Sequence, residues 1–355
     1  MFAAKRYAVI SGNYEDAIWA ATAGGTAGSA TVPTATEDVF IPAGITVYIN
    51  SVAEKANSLT LDGTLEYLTN RNLVITNKGF VLVNSGATIL FSNTGLLRGG
   101  GNNAGGVLVT IHAGANLSTR NVLGFNTGTG NTALTGSIAV KPGNVGAPYY
   151  DPGVNYTYNG TNAQVTGNAL VTANSLTISN SAGVTASGDI TTTTFNSDPG
   201  SLFDMTTFQL TVTNVNHAGT LHTQNTSATP ISSGKTWGGS VLYNSTSVQT
   251  IVAGNYNDLD GTNGNRTLAT TADIGIAGIF TPGAGVYTIT NSTVNFNGSG
   301  SQNIPAFTFY YLKVSNDGIK YIPASTSVIC QTLAINDNAS IEVNADGGGQ
   351  VNVIQ

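Results

Sequence analysis

Residues 241–259 read VLYNSTSVQTIVAGNYNDL, and residues 294–312 read VNFNGSGSQNIPAFTFYYL. The second stretch repeats the first at a constant offset of 53 residues over nineteen positions, without insertion. Val241 falls on Val294, Tyr243 on Phe296, Asn244 on Asn297, Gln249 on Gln302, Ile251 on Ile304, Tyr256 on Phe309 and Leu259 on Leu312. Matches at alternate positions, 241 with 243 and 249 with 251, have the period of a strand and not of a helix. A fixed period with strand-like matches points to stacked β units. The repeat contains no reactive side chain, so it speaks to architecture and not to chemistry.

The rest of the chain agrees with strands. Only 8% of the 355 residues are charged, against about 25% in an ordinary soluble domain. Long surface helices rely on Lys and Glu, so they are not expected here. Thr, Val, Ile, Tyr and Phe, punctuated by 44 glycines and many asparagines, favour strands joined by tight turns. Hydrophobic residues make up 41% and alternate regularly, which argues against disorder. From Ser58 to Ile111 short apolar runs follow one another, with turn signals at Asp62-Gly63 and Ser85-Gly86. Their spacing predicts coils of roughly 20 to 25 residues. The predicted fold is all-β: a parallel β-helix or solenoid, right-handed because β-crossover-β connections are, in one module or two stacked ones.

Residues 141–163, KPGNVGAPYYDPGVNYTYNGTNA, break the pattern with prolines, glycines and four tyrosines. They read as a long loop or as the junction of two modules. The expected organisation is an N-terminal cap and first solenoid module over 1–140, the loop or junction over 141–163, and a second module over 164–355 that contains the duplication. The glycine triplet 347–349 reads as a linker.

Near the N-terminus the chain resembles a known family. Ser11, Gly12, Asn13, Asp16 and Trp19 are followed by Val32, Pro33, Thr34, Asp38, Val39, Ile41, Pro42, Gly44, Thr46 and Val47. This is similar to the SGNW…VPT…D-x-V-x-IP-x-G-x-TV segment of Bacteroidota cell-surface adhesins exported by the type IX secretion system. It departs from that pattern at Tyr14 and Ile18. The resemblance spans about forty residues. It implies an extracellular or cell-surface structural protein, a solenoid stalk or surface of an adhesin, with surface polysaccharide or copies of itself as partners. Trp19, just ahead of a glycine loop, is expected to cap the first coil, because an uncovered terminal coil exposes apolar interior and unpaired backbone.

Other functions find less support in the sequence. The net charge is −6 and the 12 basic residues are scattered, so no basic footprint for nucleic acid is visible. No apolar run reaches the roughly 20 residues of a membrane helix, and membrane insertion is not expected. The first residues lack the apolar stretch of a signal peptide, so an exported protein would be seen here in processed or excerpted form. The only cysteine, Cys330, sits in an apolar strand and reads as a buried, inert thiol. His112, His217 and His222 read as surface or corner residues and not as a metal site. The carboxylates Glu54, Asp62, Glu66, Asp189, Asp198 and Asp204 are dispersed, so no catalytic residue is assigned and neither a cofactor nor a metal is called for. A β-helical carbohydrate-active enzyme, which would need such carboxylates gathered on adjacent coils, stays as one alternative. A self-assembling filament or surface-layer subunit is another. Regular Thr arrays on flat solenoids can bind ice, but Thr191–Thr194, Thr211/Thr213 and Thr288/Thr290 do not recur at one period. They read as ordinary β-propensity.

The expected binding residues are Tyr149, Tyr150, Tyr156 and Tyr158, which lie beside Asp151, Asn155 and Asn159. Sugars stack their apolar faces on exposed rings and offer hydroxyls to amides. The opposing reading packs these rings against the solenoid. The expected structural residues are Trp19, Gln249, Ile251, Leu259, Gln302, Ile304 and Leu312.

Overall fold

The computed structural model describes residues 3–51, 54–68, 70–76, 78–99, 106–130, 132–344 and 346–354. Of the described residues about 48% are strand and none is helical, and parallel sheets stack as a β-solenoid of about 15 turns. The chain divides into two units, residues 1–193 and 194–355.

In the first unit three parallel ladders form the coil sides. One ladder includes Glu37–Ile41, Ser58–Leu61, Phe80–Val83 and Leu108–Ile111. The second includes Thr46–Ile49, Thr64–Tyr67, Thr88–Phe91, Asn116–Thr119, Asn155–Tyr158 and Thr172–Ile178. The third, shorter, includes Glu54–Ala56, Asn72–Ile75 and Leu96–Gly99. Alternate side chains point inward. Val39, Leu59, Val81 and Val109 make one buried column. Val47, Leu65, Ile89, Leu117, Tyr156 and Leu176 make another. Each such aliphatic is worth roughly 1.5–3 kcal/mol of burial, and β-branched or aromatic shapes suit the pleated inner face.

The corners are tight. A Cβ on Gly63 would lie 2.3 Å from the Pro42 carbonyl oxygen and 2.4 Å from that of Ile45, so the Asp62-Gly63 turn depends on the close approach of the preceding coil. Coil lengths vary more than the predicted 20 to 25 residues. Thr46 pairs with Thr64, eighteen residues on, whereas Asn116 pairs with Asn155, thirty-nine on. Excursions at the corners absorb the difference while strand register stays fixed.

Residues 141–163 lie inside the first unit and carry two strands. Tyr149–Tyr150 pairs with Leu108–Ile111, and Asn155–Tyr158 sits in register between Asn116–Thr119 and residues 175–178. The prolines and glycines of this stretch fall outside both strands, and Asn-Tyr-Thr-Tyr keeps the two-residue alternation of an ordinary coil side.

The N-terminal edge is covered by the chain itself. Ala4–Ala8 pairs parallel with Glu37–Ile41 on one side and antiparallel with Trp19–Ala20 on the other. Trp19 is fully buried, and its Nε1–H donates to the Tyr14 carbonyl at 2.7 Å. The two rings meet edge to face at 5.1 Å. The Tyr14 hydroxyl in turn donates to the Lys55 carbonyl at 2.7 Å.

In the second unit one long parallel ladder carries Lys235–Tyr243, Gly254–Asp260, Ile274–Ile276, Thr293–Phe296, Phe307–Val314 and Ser327–Ile335. The duplicated nineteen-residue segment corresponds to one coil. Val241 pairs in parallel with Leu259, and Val294 pairs likewise with Leu312. Ile251 and Ile304 are fully buried, and Leu259 and Leu312 nearly so. The glycine triplet 347–349, read from the sequence as a linker, is a corner instead. It leads into Gln350–Val353, which pairs with Ser327–Ile335.

Candidate functional site

The most regular polar arrangement in the molecule is a corner built around a buried glutamine. Gln249 is fully buried, and its Oε1 accepts the Ser245 N–H at 2.8 Å. Its Nε2 donates to the Thr223 and Asn225 carbonyls of the preceding coil, both at 3.0 Å. Gln302 does the same: Oε1 accepts the Gly298 N–H at 2.8 Å, and Nε2 reaches the Ile276 and Gly278 carbonyls at 2.9 and 3.0 Å. The structure reveals a third copy. Gln164 Oε1 accepts the Gly160 N–H at 2.9 Å, and Nε2 donates to Thr119 and Asn121 at 3.0 and 2.9 Å. All three follow one pattern: an aromatic residue, then Asn, then Gly or Ser, and Gln four positions after that. It covers Tyr158-Asn159-Gly160 with Gln164, Tyr243-Asn244-Ser245 with Gln249, and Phe296-Asn297-Gly298 with Gln302.

The following coil adds a donor to each corner. Arg266, fully buried and in register with Gln249, gives Nη1 to the Ser245 carbonyl at 3.1 Å and Nη2 to that of Tyr243. Lys320, in register with Gln302, gives Nζ to Gly298 at 2.6 Å and Gly300 at 3.4 Å. Asn180 Nδ2 serves the Gln164 corner, bonding Asn162 O at 2.8 Å and Gln164 Oε1 at 2.9 Å. Burial lowers the pKa of both cations, as expected for charge removed from water. The carbonyl oxygens around them replace that hydration.

The four tyrosines do not share one surface. Tyr156 and Tyr158 point inward and are buried, and the Tyr158 hydroxyl donates to the Thr166 carbonyl at 2.7 Å. Both pack edge-on against Phe125, at 5.6 and 6.0 Å. Tyr150 is half-buried, with its hydroxyl on the Asn126 carbonyl at 3.2 Å. Desolvation raises the pKa of all three. Tyr149 alone presents its ring, 53% exposed.

His217 lies in the core, not at the surface or a corner. It stacks against Phe195 at 5.9 Å and meets Trp237 edge-on at 5.9 Å. Ser197 Oγ and His217 Nδ1 are 2.6 Å apart, and Nε2 faces the Ser240 carbonyl at 3.1 Å. That carbonyl fixes the proton on Nε2, so the serine hydroxyl donates to Nδ1. Ser197 Oγ also accepts the N–H groups of Ala218 and Gly219 at 3.2 and 3.1 Å. With its proton and both lone pairs engaged, this serine is a structural link rather than a nucleophile. Desolvation lowers the pKa of His217.

The carboxylates mostly cap turns or bridge coils. Asp62 accepts from Asn84 at 2.7 Å, Asp204 from the Thr206 N–H at 2.8 Å, and Asp258 from the Ile279 N–H at 2.8 Å. Glu54 differs. Burial, and then the neighbouring charge of Glu15, push it up to about 7. Among the described residues no group of three or more His, Cys, Asp or Glu is placed to hold a metal ion. Cys330 is buried, and burial raises its thiol pKa. Thr columns do form: Thr46, Thr64 and Thr88 stack in one, and Thr250, Thr267 and Thr288 in another.

No family model matches the chain, and neither a curated protein nor a solved structure matches it.

Proposed function

We propose that this chain is a non-enzymatic structural and adhesive segment of an extracellular or cell-surface protein, akin to the type IX-exported Bacteroidota adhesins. Its ligand on this reading is a polysaccharide. The observation that carries the proposal is the corner network. Gln164, Gln249, Gln302, Arg266 and Lys320 are buried polar groups of the kind an enzyme would direct into a cleft. Here each is committed to backbone groups that hold one coil on the next. Such bonds stiffen a scaffold that displays a surface. The residues behind the resemblance support the same reading locally. Asp16 Oδ2 accepts the Asn13 N–H at 2.9 Å, and Trp19 closes the opening turn.

The test applies the purified chain to immobilised polysaccharides, assays reducing ends, and images the protein by electron microscopy. The expected result is retention of an intact, unpolymerised protein with no release of reducing sugar. Sustained release of reducing ends would establish the carbohydrate-active enzyme instead. Filaments or sheets of the chain alone would establish the self-assembling subunit.

A further inference from the structure

A second aromatic residue, outside the tyrosine cluster, sits where a ligand could lie. Tyr321 stands in register between Asn303 on the preceding coil and Glu342 on the following one. Its neighbours in the strand, Lys320 and Ile322, point inward and are buried. By alternation the tyrosine ring faces outward. The strand is pinned from within: the Tyr321 carbonyl accepts the Ile304 N–H at 2.8 Å, and Lys320 holds the corner beneath. Two concavities meet at this ring. One, of about 360 Å³, runs from Ile279 past Asn303 and Pro305 to Tyr321. The other, of about 380 Å³, runs from Tyr321 past Glu342 and Asn344 to Asp346. Both are within the size range of small-ligand clefts.

We propose that this groove is a binding site for a neutral polysaccharide strand running from coil to coil across Tyr321. The inference rests on the adhesive reading above and names its site. Ile279, 65% exposed, together with Pro305 and the Tyr321 ring, offers apolar faces for the C–H faces of pyranose rings. The Asn303 amide, the Glu342 carboxylate and the Asn344 amide offer partners for hydroxyl pairs between those apolar steps. Neighbouring strands lie about 4.8 Å apart, so successive contacts repeat on the scale of a sugar unit. The two carboxylates of the groove, Glu342 and Asp346, in a chain of net charge −6, disfavour uronate or sulfated polymers by like-charge repulsion.

The experiment is affinity electrophoresis of the full chain through gels containing galactomannan, mixed-linkage β-glucan, dextran or alginate. The expected result is retardation by at least one neutral polymer and none by alginate. Tyr321→Ala should weaken binding about tenfold or more, as loss of a central aromatic anchor does. Tyr321→Phe should keep most of it, and Tyr149→Ala should keep all of it. Asn303→Ala, at an exposed position, provides a second variant that leaves the core untouched and should weaken binding several-fold. Undiminished retardation of both Tyr321→Ala and Asn303→Ala would overturn this site while leaving the adhesive reading in place. Absence of retardation by every neutral polymer would overturn the site and the polysaccharide part of that reading together. Equal retardation by alginate would overturn the neutral-ligand assignment.

Discussion

Gln249 and Arg266 stand in register on adjacent coils and hold the two sides of a single residue. The Ser245 N–H donates to Gln249 Oε1 at 2.8 Å, and the Ser245 carbonyl accepts from Arg266 Nη1 at 3.1 Å. Gln249 also reaches back to the coil before it. Three consecutive coils are thus joined through one corner. Gln302 and Lys320 repeat the relationship around Gly298.

Replacing the glutamine should therefore cost stability out of proportion to its size. Gln249→Ala leaves one buried N–H and two carbonyls without this partner, each worth roughly 1–3 kcal/mol if unsatisfied. The expected loss is about 2–4 kcal/mol, read from urea denaturation, with a similar value for Gln302→Ala. Ile304→Ala, two positions along on the inner face, should cost roughly 2–5 kcal/mol through the cavity it leaves. A loss near zero for both glutamine variants would contradict the corner as a stabilising device.

Glu54 makes the first unit pH-sensitive. Its folded pKa of about 7 lies above the ordinary carboxyl value of 4.5, so between these values the folded state holds the proton that the unfolded state has lost. Stability is then full below about pH 4.5 and declines as pH rises through 7. Glu54→Gln should remove this decline and raise the melting midpoint at pH 8 relative to the native chain. At pH 4.5 the two should melt alike. Parallel profiles for both proteins would show that Glu54 does not carry the effect.

Trp19 closes the opening edge, so its truncation should act on association as well as on stability. Trp19→Ala removes a fully buried ring and its hydrogen bond to Tyr14, for a loss of roughly 3–5 kcal/mol. Light scattering should show self-association that Trp19→Phe largely avoids. A monodisperse Trp19→Ala protein with unchanged melting would exclude a capping role.

Much of this architecture was legible because strands alternate and because one coil was copied with its length intact. Gln249 and Gln302 declared themselves at a spacing of 53. Gln164 carries the same corner but lies 85 residues before Gln249, and no single period links the three. Their partners were hidden for a second reason. Arg266, Lys320 and Asn180 perform one task with different chemistry, at intervals of 17, 18 and 16 residues from their glutamines. The Thr columns escaped likewise, since Thr46, Thr64 and Thr88 are unevenly spaced in sequence yet adjacent in space. Tyr156 and Tyr158 looked like displayed rings because the prolines around them suggested a loop. Their own alternation placed them inside. Tyr321 gave no local signal, because its groove exists only once neighbouring coils are stacked.

The glutamine corners also bear on how the protein ages. Asn159-Gly160, Asn244-Ser245 and Asn297-Gly298 are sequences prone to deamidation, in which the backbone nitrogen after asparagine attacks the side-chain amide and closes a succinimide. In each case that nitrogen carries the hydrogen held by a buried glutamine, at 2.9, 2.8 and 2.8 Å. That hydrogen stays engaged for as long as the coil stays folded, and the nitrogen must be released and deprotonated before it can attack. The bond that fastens one turn to the next thereby shields two of the three Asn-Gly linkages of the chain, leaving Asn263-Gly264, with its exposed asparagine, as the place where chemical ageing would begin.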